Sequence, residues 1–318
     1  MAMDPSALEK MQRPRYLGMP TFMRAPAHDG PAGLDIAMIG VPYDGGVTNR
    51  PGARHGPREV RNQSSLMRLV NQATGVEPYS LATVGDIGDV FIERPFHLES
   101  SHEEIRRAFE PIMEAGAVPL AVGGDHSISL PILRVVGADR PVGLVHIDAH
   151  CDTGDGHLGS RFHHGAPFSR AVDEGVLDPE RTVQIGIRGA LNDPDQWKFS
   201  YDHGMRVIHM HEAREMGLDA VIAEARRVVG DGPTYLSFDI DALDPAYAPG
   251  TGTPEIGGFT SFEGQVLVRG MAGLNLVGAD LVEVAPPFDP SGVTALTGAT
   301  LMFEIICILS QVIASRRG

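Results

Sequence analysis

Two apolar runs in this chain do not fade into polar turns; they end in carboxylates and imidazoles spaced two residues apart. The run Val145-His146-Ile147-Asp148-Ala149-His150-Cys151-Asp152 sets Asp148, His150 and Asp152 at alternate positions. The run Tyr235-Leu236-Ser237-Phe238-Asp239-Ile240-Asp241 does the same with Asp239 and Asp241. In an extended chain alternate side chains share a face, so each run delivers its polar groups to one side. Any fold must bury two apolar strands while gathering four carboxylates at their ends. Uncompensated, those anions repel and raise one another's pKa values, and two divalent cations are the simplest compensation for four negative charges.

Around these runs, short aliphatic segments alternate with stretches of helical spacing, the signature of βα units in a parallel sheet. Strands are predicted at Asp35–Val41, Ala117–Val122, Val142–Asp148, Thr182–Gly186, Arg206–His209, Thr234–Asp239 and Asn275–Val284. Helices are predicted at His102–Ala115, Ile128–Val136, Leu218–Val229, Ser261–Gly273 and Leu296–Ala314. The 318 residues are roughly two domains by length, yet no repeat, low-complexity tract or linker divides them, so one α/β domain is the simpler reading. It is expected to span residues 34–318, behind an irregular arm, residues 1–33, whose Pro, Met and Arg content lacks periodicity and whose role is contact. Pattern alone does not separate an open doubly wound sheet from a closed barrel. Both place ligands at the carboxyl ends of the strands.

Composition narrows the partners. With 26 basic and 41 acidic residues the formal charge is −15, which repels a phosphate backbone or an anionic membrane surface. The apolar share of 42% and charged share of 21% are those of a packed globular protein. Cys151 and Cys307 are too few for a disulfide framework or a thiolate zinc site, which fits a reducing, cytoplasmic setting. The N-terminal residues, with Asp4, Pro5 and Glu9, read neither as a secretory signal nor as a transit peptide. The apolar stretch Leu301 to Ala314 is short for a membrane span and is broken by Glu304 and Gln311, so it is expected to be a core helix.

A third strand end supplies Gly123-Gly124-Asp125-His126, where glycines permit a tight turn and His126 offers an imidazole nitrogen. The candidate ligands are then His126, Asp148, His150, Asp152, Asp239 and Asp241. A single Asp or His at a strand end is ordinarily a cap or a hydrogen-bonded core group; five on two strands plus this turn are not. Carboxylates with a minority of imidazoles favour Mn2+ over structural Zn2+, with Zn2+, Ni2+, Fe and Co2+ left open. Paired metals activate water, so hydrolysis is the natural reaction class. Asp125 is either a turn residue or a partner orienting a ligand.

Taken with Ser237-Phe238-Asp239-Ile240-Asp241-Ala242-Leu243-Asp244-Pro245, Pro249-Gly250-Thr251-Gly252-Thr253-Pro254-Glu255 and Glu283-Val284-Ala285-Pro286-Pro287, these motifs resemble the ureohydrolase superfamily of arginases, agmatinases and guanidino-acid hydrolases. The resemblance runs from about Ile36 to Ile313. It implies a three-layer α/β/α fold with a mostly parallel sheet, and two Mn2+ per subunit. One ion would be held by His126, Asp148, Asp152 and Asp239, the other by Asp148, His150, Asp239 and Asp241, with Asp148 and Asp239 bridging. It further implies that a metal-bridging hydroxide, oriented by Asp152, attacks a guanidinium carbon and releases urea and an amine. His164 resembles the family's proton-shuttling histidine and Glu283 the carboxylate that grips the guanidinium. A homo-oligomer, trimer or hexamer, is also implied. Cys151 is expected to be an inert buried thiol. Arg50, Arg54, Arg58 and Arg61 are expected to be structural or at a subunit interface.

Two departures from the commonest agmatinase pattern bear on substrate. Ala166 stands where a hydroxyl residue is frequent, and the loop Thr153 to His163 is long. Its form is closer to guanidinobutyrase, guanidinopropionase and proclavaminate amidinohydrolase. A guanidino acid such as 4-guanidinobutyrate or 3-guanidinopropionate would want a cation in that loop, which Arg161 supplies; agmatine would want a carboxylate, which Asp155 supplies. The only lysines are Lys10 and Lys198, so a carboxylate clamp falls to arginine. A non-catalytic subunit or a guanidine-binding sensor remains the reading from another class, although no ligand of the pattern is missing.

Overall fold

The computed structural model describes residue 9 and residues 12–317. Its centre is an open sheet of eight strands: β1 Ile36–Val41, β2 Val84–Asp89, β3 Val118–Gly123, β4 Val142–Ile147, β5 Leu177–Ile187, β6 Arg206–His209, β7 Thr234–Asp239 and β8 Leu276–Val282. They lie in the order β2-β1-β3-β8-β7-β4-β5-β6, every pair parallel. The choice between sheet and barrel thus falls to the open sheet, with β2 and β6 as its edges. Strands β1, β3, β4 and β7 are buried at every position, as a parallel sheet covered on both faces requires.

Helices cover the two faces. Leu98–Glu114, Ser129–Val136 and Pro167–Asp173 pack together on one side. On the other, Gly56–Gln63, Leu218–Val229, Ser261–Gly270 and Val293–Arg317 form the second layer. The last of these is apolar all round; Glu304 in its middle is buried but accepts from Asn71 Nδ2 at 2.7 Å and from the Arg269 guanidinium. It is the core helix expected from sequence, longer at both ends than Leu296–Ala314.

Strand β2 was not expected. Its sequence Val-Gly-Asp-Ile-Gly-Asp interrupts apolar alternation, and its aspartates have structural work. Asp86 accepts from the Phe22 amide at 2.8 Å and from two nitrogens of Arg61 at 2.9 Å, and Arg61 also reaches Asp89. The helix Leu98–Glu114 starts four residues before the predicted His102, strand β5 extends the predicted Thr182–Gly186 to Leu177–Ile187, and the helices Gly56–Gln63 and Pro167–Asp173 were also missed. Both missed helices carry a proline in their first turn, which pre-organises a start but reads as a break when scanning for periodicity. The described part of the N-terminal arm does more than lie on the surface. Phe22 and Met23 are fully buried, and the Tyr79 hydroxyl donates to the Met23 carbonyl at 2.7 Å.

The central strands β3, β8, β7 and β4 are neighbours, so the residues following them converge. The turn after β3 is the tightest point. Gly124 N donates to Val41 O, Asp125 N to Tyr43 O, and Glu283 N to Gly124 O. A Cβ on Gly124 would sit 1.6 Å from Tyr43 O, so only glycine lets these backbones meet. Gly124→Ala is expected to cost about 3 kcal/mol or more of unfolding free energy in urea titration, as overpacking against fixed backbone does. Gly30→Ala, whose Cβ meets nothing within 4 Å, should stay within about 0.5 kcal/mol of the parent.

Candidate metal centre

Beyond Gly124, Asp125 begins a short 3-10 turn, His126–Ile128. Its carboxylate accepts from Ser127 N at 2.9 Å and Gly46 N at 2.7 Å. Asp125 is therefore a cap and loop tie, which resolves its two sequence readings in favour of the turn. The cap turns the His126 ring toward the ends of β4 and β7. Its Nδ1 lies 3.2 Å from Asp148 Oδ2, 3.0 Å from Asp152 Oδ2 and 3.2 Å from Asp239 Oδ2. At the ring's other end, Ser237 Oγ donates to Asp280 Oδ1 at 2.6 Å, so it accepts from His126 Nε2 at 2.8 Å. Nδ1 is thereby the nitrogen left for a lone pair, and it makes no well-formed hydrogen bond although three anionic oxygens surround it.

Next to it lies a second group. His150 Nδ1 is 3.2 Å from Asp241 Oδ2 and 3.5 Å from Asp148 Oδ1. Asp148 thus presents one oxygen to each group. Asp239 does not span them equally: its Oδ2 faces His126, while its Oδ1 accepts the Asp241 amide at 2.8 Å. All six residues expected as ligands are brought together. Asp148, Asp239, Asp241 and His126 are buried, and His150 and Asp152 open onto a pocket of about 880 Å3. Imidazole nitrogen and clustered carboxylate oxygens directed at common points are the donor set of divalent cations.

The electrostatics of the cation-free cluster agree. Burial and the neighbouring Asp148 charge push the Asp241 carboxyl up to about 6, against the pull of His150. Burial, then Asp241 and Asp148, raise Asp239 well above the carboxylate range. Burial opposes charge on His126, but Asp148, Asp152 and Asp239 outweigh it and raise the ring well above its usual value. These shifts favour bound protons where a cation would relieve the same repulsion.

Two residues of the cluster's rim carry backbone strain: Asp152 at φ +50° and Glu283 at φ +63°, both in the left-handed region that non-glycine residues seldom occupy. Glu283 Oε1 accepts from His126 N and from His164 Nδ1, each at 2.9 Å, while its Oε2 is buried with no partner. Burial disfavours a charged His164, but Glu283 prevails and raises it to about 9. Thr48 Oγ1 sits 2.8 Å from His164 Nε2. The Thr48 amide donates to the same Nε2 at 3.2 Å, so as placed the ring donates its Nδ1 proton to Glu283 and holds a lone pair on Nε2. Thr48 was not singled out in the sequence; it lies in the loop after β1, two residues before Arg50.

Arg161 lies at the pocket mouth, its side chain 66% exposed and 3.3 Å from Asp173 Oδ2. Arg170, passed over in the sequence, lines the same pocket with its side chain only 6% exposed; its contacts to Asp173 at 3.2 Å and to Asp155 at 3.5 Å are long. Three of the four arginines expected to be structural have such contacts: Arg50 donates to Gly252 O and Thr251 O, Arg54 pairs with Asp44, and Arg61 with Asp86, whereas Arg58 is exposed. Cys151 is buried against Ile187 and Val207, and burial pushes its thiol far up, consistent with an inert role.

A profile of the family described as Arginase family matches residues 34–307. The chain is 58% identical to the guanidinopropionase of Pseudomonas aeruginosa, over 96% of this chain and 96% of that protein. It is 49% identical to the mitochondrial agmatinase of Gallus gallus, over 97% of this chain and 90% of that protein. The solved structure of proclavaminate amidinohydrolase from Streptomyces clavuligerus superposes with a TM-score of 0.91 at 40% identity, covering 94% of this chain and all of that one.

Because the cluster favours bound protons, uptake of divalent cations should release them. Titrating chelator-stripped protein with MnCl2 in buffers of different ionisation enthalpy should give buffer-dependent heats. Affinity should fall as the pH drops below about 6, where Asp241 takes up its proton. Heats independent of buffer would contradict this account.

Proposed function

The chain belongs to the arginase family, and from that premise we propose that it is a binuclear manganese amidinohydrolase that splits a small linear guanidino acid into urea and an amine. The observation that carries the reading is the junction of the two half-sites at Asp148, together with Glu283, whose Oε1 accepts from His126 N and whose Oε2 is buried and unpartnered among the described residues. His126, Asp148, Asp152 and Asp239 would hold one cation, and Asp148, His150 and Asp241 the other, with Asp239 shared as the resemblance implies. When bound, such a pair supplies the Lewis acidity that makes water nucleophilic at neutral pH.

The chain's own groups account for the rest. Glu283 Oε2 offers a charge-assisted hydrogen bond to a guanidinium N–H, holding the carbon over the cluster. Asp152, on its strained backbone, accepts a hydrogen bond from the attacking water and fixes its direction. Cleavage of the carbon–nitrogen bond needs a proton on the departing amine, and His164, raised to about 9, carries one at neutral pH. Water restores that proton, so a guanidinium and a water become urea and an ammonium with charge conserved.

For the tail of the substrate, we place a carboxylate against Arg161 and Arg170. Both share Asp173 through contacts of 3.2 to 3.3 Å; Arg170 also donates long bonds to Ser169 Oγ and Asp155 that a substrate carboxylate could replace, while Arg161 keeps donors unused. The 58% identity to a guanidinopropionase supports 3-guanidinopropionate, with 4-guanidinobutyrate one methylene longer. Agmatine is the second reading, favoured by the fully exposed Asp155 side chain at the same mouth and by the identity to an agmatinase.

Urea release by the Mn2+-loaded protein across 3-guanidinopropionate, 4-guanidinobutyrate, agmatine and arginine tests the assignment. A guanidino acid should give the highest kcat/KM, and Asp152→Ala and Glu283→Ala should each lower it by at least about 100-fold. Arg170→Ala should raise KM for the guanidino acid with little change for agmatine. Preference for agmatine would move the tail assignment to Asp155; no urea from any compound would return the chain to the sensor or silent-subunit reading.

A further inference from the structure

One buried histidine beside the cluster has no place in the mechanism above. His146, on β4, points to the same side as Asp148 and is wholly buried. Its Nε2 is 2.6 Å from Asp148 Oδ2. Its Nδ1 is 3.2 Å from the amide nitrogen of Gln184, which the parallel register of β4 and β5 sets directly opposite. Phe168 closes over the ring with centroids 4.4 Å apart.

The proton positions follow from the acceptors. Gln184 Nε2 lies 2.5 Å from the carbonyl of Cys151, an atom that only accepts, so this end of the side chain must be the NH2. The second proton of that NH2 then meets His146 Nδ1, which must hold a lone pair. The single ring proton is therefore on Nε2 and is donated to Asp148 Oδ2. His146 has no lone pair free for a metal, despite its closeness to His126 and Asp148. Gln184 achieves this at a cost: its own Oε1 is buried without a partner among the described residues, a desolvation penalty that a leucine would avoid.

We propose that Gln184 is a positioning residue: it locks His146 as an Nε2–H donor that holds Asp148 Oδ2, and it fixes the Cys151 peptide between His150 and Asp152. The proposal rests on the reading that the cluster holds two divalent cations. Asp148 Oδ2 is the oxygen facing His126, whereas Oδ1 faces His150 and accepts its backbone amide at 2.7 Å. The support is therefore one-sided. Losing it should weaken the His126-side cation and leave the His150-side cation in place.

The test uses the full-length protein stripped with chelator and titrated with MnCl2, reading stoichiometry, Kd and the thermal midpoint with and without Mn2+. The parent should bind two ions. Gln184→Leu should bind the first as the parent does and the second about 10–100-fold more weakly. Its metal-free midpoint should be no lower than the parent's, while the rise on adding Mn2+ shrinks; a merely structural role would lower the metal-free midpoint and keep the rise. His146→Phe should repeat the Gln184→Leu result, and His146→Gln, whose amide reaches where Nε2 does, should restore the second ion. These two also decide the matter if Gln184→Leu does not fold. Two ions bound with unchanged Kd in Gln184→Leu or in His146→Phe would overturn the proposal alone. A parent that binds no Mn2+ would overturn the two-cation reading and the proposal with it.

Discussion

The repulsion among buried carboxylates organises this molecule. Asp148, Asp239 and Asp241 are each at most 2% exposed, and Asp280 and Glu283 stand behind them. The anions are separated by what satisfies them. Asp280 is answered by neutral hydroxyls from Ser129, Tyr235 and Ser237, so it is ordered without needing a counter-charge. Among the described residues, Asp148, Asp239 and Asp241 receive imidazoles, backbone amides and the Thr253 hydroxyl but no arginine or lysine. Positive side chains are present nearby but diverted: Arg188 donates to the carbonyls of Asp241, Ala242 and Glu255, not to a carboxylate. A neighbourhood that keeps fixed cations away from its densest anions is suited to mobile ones.

That arrangement depends on backbone held where it would not rest alone. Asp152 and Glu283 sit at positive φ, and the turn at Gly124 admits no Cβ. The strands that carry them, β3, β8, β7 and β4, form the middle of the sheet, where packing from both faces can pay for such conformations. The other left-handed non-glycine residues lie away from the sheet, Met23 and Arg24 in the arm and Leu158 in the loop between Asp155 and Arg161.

Much of this was legible in the sequence because it rests on period. The spacing in Val145–Asp152 and Tyr235–Asp241 singled out Asp148, His150, Asp152, Asp239 and Asp241, which do converge, but through turns and not extended alternation, since β4 stops at Ile147, Asp152 is left-handed and Asp241 lies in the 3-10 turn Ile240–Ala242; seven of the eight strands appeared as aliphatic runs. The same spacing points to His146, two residues before Asp148, but a histidine inside an apolar strand reads as core. Gln184 gave less warning, since its importance arises from register between β4 and β5, which no single segment encodes. Thr48 and Arg170 likewise act through tertiary neighbours. Strand β2 escaped because its glycines and aspartates answer to Arg61 and the arm and not to the core.

The tie between the arm and β2 also bears on how this chain avoids its own kind. A parallel sheet exposes two edges, each a row of unpaired backbone groups on which another chain can template itself. On the β2 side, Asp86 N donates to Pro26 O and His28 N to Asp86 O, both at 2.9 Å, so the arm occupies the ladder positions an intruding strand would use. On the other side, β6 is four residues long and begins at Arg206, paired with Glu212 and Glu224. A charged, abbreviated strand at one margin and one partly covered by the arm at the other leave little flat edge for a further strand to pair with.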